Sequence, residues 1–248
     1  MSEEGRARLL SRPGEPLFLA GWERTLFIHF EVDAARLQRD VPFPLDLRDG
    51  RAYVSLVAFT MRDMRFSFGG PALSLLLKPI ATHEFLNVRT YVRHGEERGI
   101  YFLTEWLSHW LSVQLGPLLY GLPYHYAKIH YRHEHENGRL SGSVVSRKNG
   151  KQFAYEARCG TGGFAPSQSG SLDEFLTERY TAFTTCGSTR RFFRIWHPPW
   201  PQTKADVSVL DDSLLPGAWP WFAGARLTGA NYSPGFTGVW MGRAHRVK

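Results

Sequence analysis

Residues 127–158 read AKIHYRHEHENGRLSGSVVSRKNGKQFAYEAR and carry the strongest fold signal in the chain. Asn-Gly pairs at positions 137–138 and 149–150 separate three runs of extended character. An Asn-Gly pair between extended runs is typical of a β-hairpin, because both residues tolerate the positive φ angles of a type I′ turn. The stretch therefore predicts an antiparallel meander.

Two more strands and a short helix are predicted on the amino-terminal side of this meander. Residues 26–31 and 52–60 are rich in apolar, β-branched and aromatic side chains, which is typical of strands. Between them, Asp33 stands at the N-cap position of a short helix over residues 34–39, and the prolines that follow end that helix.

A further hairpin is predicted from the alternation of residues 87–93, NVRTYVR. One face of this strand carries the polar side chains of Asn87, Arg89 and Tyr91, and residues 100–106 predict the paired strand. The hairpin therefore presents hydrogen-bonding groups on one face.

Two longer helices are predicted from spacing and capping. Residues 108–119 have leucines at helical spacing, including Leu118. Ser171 and Glu174 form a capping box that opens a helix predicted to run through DEFLTERYTAF, residues 173–183.

Antiparallel hairpins with a few helices inserted between them predict an α+β fold that is mainly antiparallel β, as a barrel or a sandwich. No internal repeat, low-complexity linker or charge block marks a domain boundary. We therefore expect residues 1–248 to form a single domain, with residues 1–20 as a loose amino-terminal segment.

The composition indicates a cellular setting. The chain has 248 residues, a formal net charge of +7 and two cysteines, Cys159 and Cys186, with no CxxC motif. A reducing compartment fits this cysteine content, and the first residues lack the apolar run of a signal peptide, so a cytoplasmic location is expected. The apolar stretch 100–123 contains Glu105 and His109, which favours a buried segment over a membrane span.

Motif searches exclude several chemistries. GxGxxG, GxxxxGK[ST], GxSxG and HExxH are all absent, and no cofactor or metal is expected. His133 and His135 could share a strand face and bind a metal together, but no third ligand stands at a recognisable spacing. Residues 189–196, TRRFFRIW, mix arginines with aromatic rings as nucleic-acid surfaces do, although an amphipathic strand explains the same pattern.

Five segments together resemble a known family. They are DVPFPLDL (40–47), NVRTYV (87–92), GLPYHYAKI (121–129), FLTERY (175–180) and HPPWP (197–201). Across about residues 22–201 the chain resembles the YqjF-like family of uncharacterised bacterial proteins, within the acetoacetate decarboxylase-like superfamily. The resemblance implies a closed, cone-shaped antiparallel β-barrel of that type, with a few flanking helices and a small-molecule pocket inside.

One departure from the superfamily affects the chemistry. In acetoacetate decarboxylase a Pro-Lys-Lys-Leu tetrad supplies the Schiff-base lysine, and a cationic neighbour lowers the pKa of that lysine. The matching residues here are Pro123-Tyr124-His125-Tyr126. Since neither phenol nor imidazole forms an imine, acetoacetate decarboxylation is not expected. Lys78 and Lys128 are the nearby lysines, and no motif supports either.

The resemblance also implies site residues. Glu84 falls about where the decarboxylase has a pocket glutamate, and Arg24 lies within one residue of its pocket arginine. We expect Glu84 and His125 to transfer protons, while Arg24 and Arg89 hold an anionic substrate.

Four further residues complete the candidate site. Tyr91 and the catalytic candidate Tyr124 are expected to donate hydrogen bonds toward a developing oxyanion. Asn87 lies on the polar face beside Arg89, and Glu105 on the paired strand is expected to join the same site.

These observations predict a lysine-independent enzyme that acts by acid–base chemistry on a small organic acid or carbonyl compound. Two alternatives stay open: a barrel that binds a small ligand without a reaction, and a buried ion-pair network of Arg24, Glu84 and Arg89 that only stabilises the fold. No membrane partner is expected, nucleic acid is disfavoured, and a homo-oligomer is left open.

Overall fold

The structure is a computed structural model that describes residues 1–161 and 163–247. Strands dominate these residues, and helices lie between them in the chain. In chain order the elements are α1 (Ser2–Leu10), β1 (Phe18–Val32), α2 (Ala34–Asp40), β2 (Ala52–Phe66), α3 (Gly70–Leu77), β3 (His83–His94), β4 (Glu97–Leu107), α4 (Trp110–Tyr120), β5 (Tyr124–Glu134), β6 (Arg139–Ser146), β7 (Gln152–Cys159), α5 (Leu172–Thr177), β8 (Thr181–Cys186), β9 (Thr189–Trp196), β10 (Thr203–Asp211), β11 (Arg226–Met241) and β12 (His245–Arg246).

The strands form one sheet that closes on itself. Its order is β12-β9-β8-β4-β3-β2-β1-β11-β10-β7-β6-β5, and additional pairings join β4 to β5 and β9 to β11. Strand β4 pairs in parallel with β5 and with β8, and the other pairings are antiparallel. The predicted α+β class with a mainly antiparallel closed barrel is therefore confirmed.

Strands β1, β2 and β3 are buried on both faces: one face packs into the protein core and the other faces a cavity. Leu26, Leu56 and Val88 pack into the largest core cluster. Residues next to them in the chain point to the opposite face and line a cavity; these are Thr25, Phe27, Val57, Asn87 and Arg89. The two-residue period of a strand separates these two sets of side chains.

The hairpin and cap predictions are confirmed, although only the glycine of each Asn-Gly pair has a positive φ angle, so the turns are not of type I′. Strands β5, β6 and β7 form the predicted meander, and Gly138 and Gly150 have φ angles of 65° and 69° at its two turns. Helix α2 begins after Asp33, whose carboxylate accepts a hydrogen bond from the backbone N–H of Arg36 at 2.8 Å.

The helix predicted over residues 173–183 is wrong in its second half. Helix α5 ends at Thr177, and strand β8 begins at Thr181 and pairs with β9 and β4. The capping box opens the helix as expected, with the Ser171 hydroxyl accepting from the N–H of Glu174. Tertiary pairing thus overrides the helical pattern beyond the first turns.

Helix α4 is present, but its leucines do not form its buried face. Its buried residues are Ser112, Gly116 and Tyr120, whereas Leu118 is 76% exposed. The small residues Ser112 and Gly116 let the helix approach the sheet closely, and they lie along the wall of the cavity.

The amino-terminal segment contains α1, which contacts β9. Leu9 is buried, and the Ser2 hydroxyl donates a hydrogen bond to the carbonyl of His197 at 2.8 Å. Across residues 1–161 and 163–247, each helix is too short or too polar to cross a membrane.

Candidate functional site

A cavity of about 270 Å³ lies against the inner face of β1 to β5, beneath α4 and beside β9. Its walls are mostly Leu, Ile, Met, Phe and Trp side chains. Polar side chains are few, and they include Thr25, His83, Asn87, Arg89, Glu105, Tyr124 and His197. A mostly apolar pocket with a few convergent polar groups is typical of a small-molecule site.

Three neighbouring strands bring the central polar residues side by side. Asn87 of β3 stands opposite Glu105 of β4, and Glu105 stands opposite Tyr124 of β5. Arg89 lies two residues beyond Asn87 and so occupies the same face, as the alternation of NVRTYVR predicted. The structure therefore brings together four of the predicted site residues.

Several of these polar groups are buried without a partner. Within the part of the chain that the structure describes, no hydrogen bond reaches Thr25 Oγ1, Asn87 Oδ1, Arg89 Nε or Glu105 Oε2. Buried polar atoms in folded proteins are nearly always hydrogen-bonded, so four open groups on one cavity need an explanation. A polar ligand in the cavity would provide their missing partners.

Arg89 supplies a positive charge that the protein leaves largely uncompensated. Its Nη2 donates to the carbonyl of Leu176 at 3.1 Å, and its guanidinium lies 5.5 Å from the ring centre of Phe27. No carboxylate of the described residues forms an ion pair with it. Burial lowers the pKa of Arg89, and Tyr91 and Glu105 act in the opposite direction. Since a guanidinium keeps its proton in proteins, the charge remains.

Glu105 is 3% exposed, and burial raises the pKa of its carboxyl well above the ordinary value. Arg89 lowers the pKa of Glu105 by a smaller amount. Burial therefore favours the protonated form of this carboxyl, which can donate a hydrogen bond into the cavity. Burial also raises the pKa of Tyr124, and the neighbouring Glu105 raises it further, so the phenol is a second donor.

Two cavity histidines are kept neutral. Burial lowers the pKa of both His83 and His197 to about 4. The Nδ1 of His197 lies 2.7 Å from the carbonyl of Pro198 and donates to it, which leaves Nε2 with a free lone pair. Sequence reasoning assigned neither histidine to the site, because no pattern in HPPWP indicates that its histidine faces a cavity.

Tyr91 lies outside the cavity and shares a hydrogen-bond acceptor with Arg89. Its side chain is buried but does not line the cavity. The Tyr91 hydroxyl donates to the carbonyl of Leu176 at 2.7 Å, the same oxygen that accepts from Arg89. It also lies 2.5 Å from the hydroxyl of Ser55, which lies 2.7 Å from Nδ1 of His29. Tyr91 thus helps to hold Arg89 in position.

Three other predicted site residues lie away from the cavity. Glu84 accepts a hydrogen bond from the Ser108 hydroxyl at 2.6 Å, and His125 and Arg24 are exposed. Glu84 and His125 each differ from a cavity-facing strand residue by an odd number of positions, so they point to the other face. Arg24, Glu84 and Arg89 are not joined by ion pairs in the described chain.

The described residues provide neither a lysine in the lining of this cavity nor a cluster of three metal ligands. None of its described lining residues is a lysine, and Lys78 and Lys128 are exposed. His133 Nε2 lies 2.7 Å from the Tyr155 hydroxyl, and its Nδ1 donates to a backbone carbonyl. Among residues 1–161 and 163–247, no three His, Cys, Asp or Glu side chains cluster as metal ligands would.

Comparison with known proteins identifies the family. The profile of the DUF2071 family, described as an uncharacterized conserved protein, matches residues 19–224. The chain belongs to this family. It is also 32% identical over 216 residues to the uncharacterized protein YqjF of Bacillus subtilis (strain 168), covering 84% of this chain and 86% of that protein. The resemblance found in the sequence is thereby confirmed.

Solved structures with the same fold are acetoacetate decarboxylase-like. The acetoacetate decarboxylase of Legionella pneumophila superimposes with a TM-score of 0.61 at 15% identity, covering 97% of this chain and 94% of that one. The enduracididine biosynthesis enzyme MppR complexed with pyruvate gives a TM-score of 0.61 at 13% identity, covering 96% and 92%. An acetoacetate decarboxylase-like enzyme from Sphingomonas wittichii RW1 gives 0.58 at 15% identity, covering 94% of each chain. At these identities the likeness establishes the DUF2071 fold alone.

Proposed function

We propose that this protein binds a small organic acid or carbonyl compound in the cavity and acts on it by lysine-independent acid–base chemistry. One observation carries the proposal. Buried polar atoms of Thr25, Asn87, Arg89 and Glu105 converge on a single cavity and have no partner within the described chain. Such groups cost free energy when they are unpaired, so a ligand that pairs with them gains affinity.

The charges around the cavity favour an anionic or strongly polarised ligand. Arg89 is positive, burial favours the protonated form of Glu105, and the lowered pKa values of His83 and His197 keep both histidines neutral. The second cavity arginine, Arg179, is already paired with Asp46 at 3.0 Å. A carboxylate bound to Arg89 would compensate the remaining positive charge through a charge-assisted hydrogen bond.

The acid–base role belongs to Glu105, with Tyr124 as a second donor. Both side chains stand beside each other on β4 and β5, and burial raises the pKa of each and so favours its protonated form. A neutral Glu105 can donate to a carbonyl oxygen as negative charge develops there. If the proton transfers, the resulting carboxylate is stabilised by the nearby positive charge of Arg89. Glu84 and His125 lie outside the cavity and take no part.

A second candidate function is binding without a reaction. The predominance of apolar walls and the lack of a lysine among the described lining residues favour it. The two functions differ in one measurement, the chemical recovery of the ligand after incubation. A ligand recovered unchanged supports a binding protein, and a converted ligand supports an enzyme.

The experiment is a thermal-shift and calorimetric screen of small monocarboxylates, keto acids and aldehydes. A ligand at a hundred times its dissociation constant adds about 2.7 kcal/mol of stability. Binding should be lost in Arg89→Met and kept in the matched control Arg93→Met, which changes an exposed arginine of the same strand. Asn87→Ala is a second cavity variant in case Arg89→Met folds poorly. Hits that survive both cavity variants would refute the proposed site.

A further inference from the structure

The polar lining side chains of the cavity are buried, apart from Tyr124, whereas the apolar ones include both buried and accessible residues. The unpartnered groups of Thr25, Asn87, Arg89 and Glu105 belong to side chains that are at most 8% exposed. By contrast, the lining residues that are partly or fully accessible are Leu, Met or Phe, apart from Trp22 and Tyr124. The accessible end of the cavity is therefore apolar, and the unpartnered polar groups lie away from that end.

The open end lies between the amino-terminal side of β1, the end of β2 and the helices α3 and α4. Leu17, Phe66, Leu77 and Leu119 line it, and Leu119 is 54% exposed. Helix α3, which contributes Leu77, has no buried residue at all. A water-filled mouth for small hydrophilic acids would be expected to carry charged or hydroxyl side chains, and these four residues carry none.

The size of the cavity agrees with a ligand longer than its head group. At about 30 Å³ for each water-sized group, 270 Å³ holds about nine groups of that size. A carboxylate occupies three of them at the Arg89 end. The remaining volume is enclosed mostly by apolar side chains, which gain nothing from contact with a polar group.

We infer that the ligand is amphipathic: a carboxylate or carbonyl head group that reaches Arg89 and Glu105, joined to an unbranched apolar tail of about six carbons that extends to Leu119. This inference rests on the proposed function and deepens it, because it names the class of compound. It distinguishes the ligand from short hydrophilic keto acids, which would leave the apolar part of the cavity unfilled.

The test is a chain-length series of straight-chain carboxylates, from acetate to decanoate, measured by calorimetry. Each added methylene should increase affinity about fourfold, since burying one is worth about 0.8 kcal/mol. The increase should level off at about seven carbons, when the cavity is full. An affinity that is constant or falls with chain length would overturn the inference.

A matched pair of variants locates the tail. Leu119→Gln changes a residue that lines the cavity, whereas Leu118→Gln changes its more exposed neighbour, which does not. Leu119→Gln should weaken binding of heptanoate severalfold and leave propionate unaffected, and Leu118→Gln should change neither. Equal effects of the two variants would contradict a tail at Leu119.

The head group is tested separately with Arg89→Met and with straight-chain alcohols. Arg89→Met should weaken all acids by a common factor, and alcohols should bind more weakly than acids of equal length. Binding that is lost in Arg89→Met but is independent of chain length would overturn the tail and leave the proposed function intact. Chain-length-dependent binding that is equal for acids and alcohols would overturn the proposed function instead. A series without any binding would overturn both.

Discussion

Replacing Glu105 by Gln tests whether its buried carboxyl is neutral, on which the charge of the cavity depends. The native-state pKa of Glu105 is raised, whereas the unfolded chain has an ordinary glutamate pKa of about 4.3. Between these two values the native protein keeps a proton that the unfolded chain releases. Stability contributed by this group is therefore fully present below about pH 4.3 and is lost as the pH rises through the native-state pKa.

The magnitude follows from linkage. One proton difference changes the free energy of unfolding by about 1.4 kcal/mol per pH unit. Because burial raises the native-state pKa of Glu105 well above its ordinary value, the wild type should lose stability relative to Glu105→Gln at up to this rate as the pH rises above 5. Buried histidines such as His83 and His197 titrate equally in both proteins, so the difference isolates Glu105.

The assay is urea unfolding of both proteins at pH 5, 6, 7 and 8, with the difference in unfolding free energy plotted against pH. Glu134→Gln serves as a control that should show almost no pH dependence, because a hydrogen bond from Arg132 lowers the pKa of Glu134, so this carboxyl is ionised above pH 5 in both the native and the unfolded protein. A difference between wild type and Glu105→Gln that does not change with pH would refute the reasoning. It would mean that Glu105 is ionised in the native protein and that the cavity carries no net positive charge.

Three further predictions concern the same cavity. Gly116→Ala should weaken ligand binding and lower the free energy of unfolding in urea by about 1–3 kcal/mol, because a Cβ there would overlap the ring of Tyr124. The control is Gly238→Ala, which should leave ligand affinity unchanged, because a Cβ there meets nothing within 4 Å. Tyr91→Phe should lower the free energy of unfolding by about 1–3 kcal/mol, since it removes the hydroxyl that donates to Leu176, and an unchanged urea midpoint would contradict this. Borohydride added with a bound keto acid should leave the protein mass unchanged, because no lysine is among the described lining residues, whereas a trapped adduct would establish an imine.

Local patterns in the sequence were sufficient for the hairpins, the caps and part of the site. Asn-Gly turns, the N-cap at Asp33 and the alternation around Asn87 and Arg89 depend on residues a few positions apart, so short-range physics specifies them. The alternation of side chains along β3 and β5 also predicts that Glu84 and His125 point away from the cavity. Each lies an odd number of positions from a cavity-facing neighbour on its own strand, and such residues point to opposite faces.

The rest of the site depends on contacts between distant parts of the chain. Thr25 meets the β3–β5 residues because β2 pairs with both β1 and β3, and His197 meets them because β9 pairs with β8 and β11; no local pattern encodes these pairings. The segment after Thr177 follows a helical pattern, yet it forms β8 because pairing with β9 and β4 is available there. The burial that raises the pKa of Glu105 is likewise collective, since desolvation depends on all the side chains around a group. The sequence alone therefore determined the family, the strand faces and the loss of the lysines, whereas the tertiary structure alone decided which polar groups share the cavity and in which charge state.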